Sequence, residues 1–318
     1  MAEPYENLFH GAARIGGLCG RLGLPWQAVA PFVGTFSEEL EGYLELSIGT
    51  LGPALGVMTR GDGKHFVHRF CGFMEDRKVS EPELRRFLAR AAFFQHRGLY
   101  TKLDVGPDGI VEYSYYFRMR PDLDVVRGWL SDRGTADLGV VDAVAKALDK
   151  RRAAFLATSL DARGHPTERV YFTATEGEGH WPGLVEAAMA ARVPRESWAV
   201  LAGFRNELDR GSKFLALSFD GSVPIAGAQV YFTDVDDALV RLVLARAGTE
   251  PDELGRLGTF ARALERTRWD YAGFRLVGEG VSGKVYGLSE GVQGPAGRTV
   301  LDRWFPKPST TPSDTDES

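Results

Sequence analysis

The chain has 318 residues, 44% of them hydrophobic, enough for a substantial core in one large domain or two ordinary ones. A formal net charge of −5 and a pI near 5.8 exclude the broad basic face of a nucleic-acid binder, so an anionic ligand must be met by a local cluster of cations. Cys19 and Cys71 are too few for a disulfide framework or a cysteine zinc site, no run approaches membrane-spanning length, and the first residues lack a basic and apolar leader; a cytoplasmic protein with no membrane partner is expected.

Residues 5–22 and 27–41 carry apolar side chains at helical spacing. Tyr43-Leu-Glu-Leu-Ser-Ile48 alternates as a strand, and His65-Phe-Val-His-Arg-Phe70 reads as its partner, across a long connection from Gly49 to Lys64. Ser80-Glu-Pro-Glu83 fits a capping box before a helix with Leu84, Phe87, Leu88 and Ala91 on its apolar stripe. Tyr100 to Val105, a Gly-Pro-Asp-Gly turn, and Ile110 to Met119 form a second hairpin. Helices follow, one carrying Leu123, Val126 and Leu130, the next Leu138, Val141, Val144 and Leu148.

The remainder repeats itself. Phe155-Leu-Ala-Thr-Ser-Leu-Asp161 with Glu168-Arg-Val-Tyr-Phe-Thr173 is answered by Phe214-Leu-Ala-Leu-Ser-Phe-Asp220 with Ala228-Gln-Val-Tyr-Phe-Thr233, then by Phe274-Arg-Leu-Val277 with Gly283-Lys-Val-Tyr-Gly287. Helical segments at 183–193, 197–208, 236–247 and 251–266 lie between and after the first two of these hairpins. Five hairpins separated by helices cannot make a parallel βαβ sheet, because each strand pair is locally antiparallel. Ten such strands close best as one antiparallel β-barrel with helices outside, an αββα repeat occupying residues 1–290. Residues 291–318 are a C-terminal extension, rich in Pro, Ser, Thr and Asp from 306 onward and expected to be disordered there.

Most motifs in the chain resolve to structure. Gly278-Glu-Gly280-Val-Ser-Gly283 matches a dinucleotide fingerprint but continues into a strand rather than a helix, so a hairpin turn is expected. Thr233-Asp-Val-Asp-Asp237 reads as a helix N-terminus rather than a metal motif. The six histidines show no metal-ligand spacing on a helix, and His65 and His68 would face opposite sides of a strand. What remains is the recurring pair of a polar or cationic residue and a tyrosine two positions on, which one strand face presents together: Arg169 with Tyr171, Gln229 with Tyr231, Lys284 with Tyr286.

In this order and spacing the residues resemble the aromatic prenyltransferases of the αββα barrel type, and the stretches around Leu44–Ser47, Arg69–Asp76 and Tyr116–Asp132 look closest to the cyanobactin-type peptide prenyltransferases and to the indole branch. The resemblance implies that Arg69, Lys102, Arg169, Gln229 and Lys284 grip the diphosphate of an isoprenyl donor, that Tyr116, Tyr171, Tyr231 and Tyr286 shield its carbocation, and that Glu45, in Glu45-Leu-Ser47, meets the acceptor. The family pattern has a lysine where this chain has Ser114; either Lys102 on the neighbouring strand reaches in, or donor grip is weaker.

Fixed cations neutralise a leaving diphosphate, phenol faces stabilise an allylic cation, and a glutamate takes up the proton released on aromatic substitution. The expected protein is a monomer that takes an isoprenyl diphosphate and an aromatic acceptor, with a peptide side chain favoured. It requires no cofactor; magnesium is tolerated but not essential. The alternatives are a small-molecule tryptophan or phenol prenyltransferase and a non-catalytic isoprenoid-binding barrel.

Overall fold

The computed structural model describes residues 10–50, 54–134, 138–174, 180–209, 213–221, 223–225, 227–277 and 280–288. The extension expected at 291–318 lies outside the described residues. Along the chain run α1 (His10–Leu22), α2 (Trp26–Thr35), α3 (Ser37–Gly42), β1 (Glu45–Gly49), β2 (Leu55–Gly61), α4 (Gly63–Glu75), α5 (Glu81–Phe93), β3 (Leu99–Gly106), β4 (Gly109–Phe117), α6 (Leu123–Ser131) and α7 (Gly139–Ala147). Then come β5 (Phe155–Asp161), β6 (Pro166–Ala174), α8 (His180–Ala190), α9 (Arg195–Ala202), α10 (Arg205–Leu208), β7 (Lys213–Asp220), a two-residue strand β8 (Val223–Pro224), β9 (Ala228–Asp236), α11 (Asp237–Arg246), α12 (Pro251–Ala263), β10 (Arg268–Val277) and β11 (Gly280–Leu288).

Every pairing is antiparallel, in the order β6-β5-β4-β3-β2-β1-β11-β10-β9-β7, and β6 also pairs with β7, so these ten strands close into a barrel with no free edge. The short β8 pairs only with the end of β7. Strand alternation sorts the side chains. Leu46, Ile48, Val57, Leu103, Tyr115, Phe117, Val170, Phe172, Leu217, Val230, Phe232, Phe274 and Val285 face outward and pack with the helices in the main core. A second, inward cluster is mainly aromatic, completed by Met58, Ala154, Ala157 and Ala216. All five hairpin turns sit at one end of the barrel and all helical connections at the other, because each hairpin's first strand runs the same way.

The structure corrects the first hairpin. Residues 65–70 are not a strand: they lie inside α4, where Phe66, Val67, Phe70, Phe73 and Met74 recur at helical spacing and are buried against Phe32, Phe36 and Phe87. The partner of β1 is Leu55–Gly61, inside the connection expected from Gly49 to Lys64, and β2 in turn pairs with β3. Gly61 makes the reversal into α4 feasible, since a Cβ there would sit 2.4 Å from the Phe66 ring. His65 and His68 accordingly ride on a helix.

The capping box at Ser80 also fails, although α5 starts where expected. The Ser80 side chain caps nothing, and Glu83 instead receives Arg86 and Arg133. From Gly280 to Gly283 the glycine-rich segment lies in β11, antiparallel to β10, as expected of a hairpin; Gly278 and Glu279 lie outside the described residues. Asp236 caps α11 by accepting from the Ala238 amide at 2.8 Å, the helix-start role expected for the aspartate cluster.

Candidate active site

Cross-strand register shows what the repeat encodes. In four successive hairpins an aromatic residue on the first strand stands directly opposite a tyrosine on the second: Tyr100 and Tyr116, Phe155 and Tyr171, Phe214 and Tyr231, Tyr271 and Tyr286. Two residues nearer the turns, the opposed pairs are Lys102 and Ser114, Ala157 and Arg169, Ala216 and Gln229, Gly273 and Lys284. Each hairpin thus supplies one polar or cationic group and one aromatic pair to the lumen, in two stacked tiers.

Lys102 is the cross-strand partner of Ser114, so the second hairpin brings a cation to this tier from its first strand. Small partners make room elsewhere: a Cβ on Gly273 would come within 2.7 Å of the Tyr231 ring and 3.0 Å of the Gln229 amide nitrogen.

The lumen holds a cavity of about 340 Å³ lined by both tiers. Tyr116, Tyr171, Tyr231 and Tyr286 form a continuous belt, with successive ring centroids 6.3, 5.9 and 5.9 Å apart, and Phe155 stacks on Tyr171 at 4.0 Å. Burial is the leading cause that pushes all four phenols above the ordinary tyrosine value, so they stay protonated and able to donate.

Toward the turns, carboxylates interleave with the cations. Asp104 accepts the Lys102 ammonium at 2.8 Å and the Lys284 ammonium at 2.7 Å. Glu112, opposite Asp104 across the hairpin, accepts Arg169 at 3.1 Å and the Ser114 hydroxyl at 2.8 Å. Burial alone would raise both acids, but the lysines beside Asp104 and Arg169 beside Glu112 outweigh it and hold both below the ordinary carboxylate range. The same partners, against the opposing effect of burial, keep Lys102 and Arg169 firmly charged.

At the opposite end stands Glu45, 4% exposed, with the Tyr43 hydroxyl donating to Oε2 at 2.9 Å. Burial pushes its carboxyl up to about 7, while the Tyr43 hydrogen bond and the Lys102 charge hold it down. Nine of the ten residues implied by the resemblance converge on this lumen: Glu45, Lys102, Tyr116, Arg169, Tyr171, Gln229, Tyr231, Lys284 and Tyr286.

Arg69 is the exception. It sits on α4 outside the barrel, bonded to the Thr35 carbonyl at 2.8 Å and paired with Glu39, and it does not line the cavity. The residue-by-residue reading missed Asp104, Glu112, Arg275 and the first-strand aromatics Tyr100, Phe155, Phe214 and Tyr271. Strand alternation around Lys102 would have exposed Asp104. Arg275 was hidden by equating Phe274 with Phe155 and Phe214, whereas Tyr271 takes their place and Phe274 faces the helices.

Among the described residues, no group of three or more His, Cys, Asp or Glu is arranged to hold a metal ion, and no helix is long and apolar enough to cross a membrane.

No family model matches the chain, and no curated protein matches it in sequence. Solved structures match it in three dimensions. The 6-dimethylallyltryptophan synthase from Micromonospora olivasterospora, in complex with DMASPP and Trp, gives a TM-score of 0.60 at 16% identity over 88% of this chain and 96% of that one. The 5-dimethylallyltryptophan synthase from Streptomyces coelicolor gives 0.63 at 17% identity, over 89% and 99%. The NotF prenyltransferase gives 0.63 at 11% identity, over 90% and 96%. What this chain shares with them at such identities is the fold.

Proposed function

We propose that this chain, which has the fold of the aromatic prenyltransferase barrels, transfers an isoprenyl group from its diphosphate to an aromatic acceptor. One observation carries the reading: a belt of tyrosines stands between a tier of cations and a buried glutamate, all within one lumen. The diphosphate lies among Lys102, Arg169, Gln229 and Lys284, with Arg275 beside them. As the allylic C–O bond breaks, its electron pair goes to the diphosphate, where charge-assisted donors stabilise it. The carbocation left behind lies within the tyrosine belt, whose π faces favour positive charge and whose walls keep water from trapping it. The acceptor ring attacks from the Glu45 side, and the carboxylate of Glu45 takes the proton that the ring or its N–H releases.

A cavity near the lower end of the usual ligand-pocket range suits a short prenyl chain together with one aromatic ring. Two acceptors are supported by different observations. The resemblance of the stretches around Glu45 and Tyr116–Asp132 favours an aromatic side chain of a cyclic or ribosomal peptide, presented into the lumen. The matched dimethylallyltryptophan synthases, one of them in complex with Trp, favour tryptophan itself. Incubation with dimethylallyl, geranyl and farnesyl diphosphates against tryptophan, phenols and aromatic cyclic peptides, read by mass spectrometry, separates them. The expected result is one added prenyl unit on an aromatic acceptor. Donor binding without transfer to any acceptor would leave only the isoprenoid-binding barrel.

A further inference from the structure

The cations of the lumen are not simply exposed to a ligand. Asp104, 3% exposed, bridges two ammoniums that come from strands three positions apart in the sheet, Lys102 on β3 and Lys284 on β11. The strand next to Lys102 is cut away to allow this: Gly56 on β2 lies under the bridge, where a Cβ would meet Asp104 Oδ1 and Lys102 Cε at 2.6 Å. On the neighbouring strand Glu112 holds Arg169. Three cations from three hairpins are thus each bonded to a carboxylate of the single hairpin β3–β4.

We infer that Asp104 and Glu112 are built-in counter-ions that compete with diphosphate for Lys102, Lys284 and Arg169, and so speed release of the diphosphate product. The inference rests on the transfer reaction proposed above and extends it to the step after chemistry. A diphosphate oxygen that takes one of these ammoniums must share it with an ionised carboxylate or displace that carboxylate. Like-charge repulsion then falls more heavily on the product than on the donor. Breaking the C–O bond leaves the electron pair on the terminal oxygen, so free diphosphate carries one more negative charge than its ester. A purely cationic pocket would hold this product more tightly than the substrate; carboxylates among the cations offset that bias.

The test uses the full chain with inorganic pyrophosphate as the probe. Asp104→Asn and Glu112→Gln each remove one competing charge while keeping size. Calorimetry should show pyrophosphate binding at least about tenfold tighter in each variant, a gain of roughly 1.4 kcal/mol. Steady-state turnover should fall, because product leaves more slowly, while a single-turnover transfer should not slow in proportion. Thermal melting reports whether each variant is folded. Asp104→Asn strands a buried lysine, so should it unfold, Glu112→Gln carries the test, since its pair with Arg169 is about a quarter exposed. Unchanged or weaker pyrophosphate binding in folded Glu112→Gln would overturn the inference and leave the proposed reaction standing. A protein that binds no pyrophosphate either as wild type or as a folded variant would overturn both.

Discussion

At the scale of single residues, Glu45 ties the chemistry to pH most directly. Its carboxyl sits at about 7 in the folded protein against an ordinary 4.5. As a base it must be ionised, so the single-turnover rate should rise with pH and level off above about 7, the pKa to which burial brings it. Glu45→Gln should flatten that profile and slow transfer by roughly 10²–10⁴-fold while sparing donor affinity. The stability consequence has the opposite slope. Because folding raises this pKa, the folded state holds a proton that the unfolded chain has released between the two values. Wild type should therefore lose stability relative to Glu45→Gln as pH rises from about 4.5 to about 7, and no further above it. Urea titrations of both proteins across that window check the sign. Arg169→Ala and Lys284→Ala should instead weaken donor binding and ionisation together, by about 3 kcal/mol in the transition state, measured as kcat/KM.

Elements show where local sequence was sufficient and where it was not. The four hairpins from β3 to β11 were legible because alternation, turn chemistry and the repeated tyrosine agreed with one another. The first was not, because His65-Phe-Val-His-Arg-Phe70 is apolar at both strand and helix spacings, and only its burial against α2 and α5 selects the helix. Arg69 was drawn toward the site by that error. Nothing local marks Glu168 either, although it is the hub of a second buried polar cluster, on the outer face of β6. It accepts Arg90 at 2.9 Å, Arg133 at 2.5 Å, the Trp129 indole N–H at 2.6 Å and the Thr158 hydroxyl at 2.7 Å, tying α5 and α6 to the barrel wall. Glu168→Ala leaves two guanidinium groups buried without it. We expect a loss of about 3–5 kcal/mol in chemical denaturation, with the donor tier on the opposite face of the same strand left in register.

At the scale of the whole molecule, the closed sheet brings cations from β3, β6 and β11 into one tier of the lumen, enough to neutralise a diphosphate in the reaction proposed above. Turnover should therefore persist in excess chelator; complete loss restored by magnesium would move the diphosphate grip to the carboxylates Asp104 and Glu112. The barrel itself was legible from the count of hairpins, since ten antiparallel strands with apolar helices on one face leave few other closures. The interior charge balance was not, because Asp104 meets Lys284 across 180 residues of chain, a contact that no local spacing encodes.

That same long-range closure bears on how the molecule is made. The seam between β1 and β11 joins Ser47 to Tyr286, so the earliest of the described strands to be made waits for the latest of them. Until Gly280–Leu288 emerges, β1 and β10 each present an unpaired edge, the kind of surface that recruits other chains during slow, high-contact-order folding. The tier in which Lys284 meets Asp104 is then complete only once β11 has joined the sheet. Pulse-labelled hydrogen exchange should find the β1 amides that face β11 gaining protection no earlier than β11 itself.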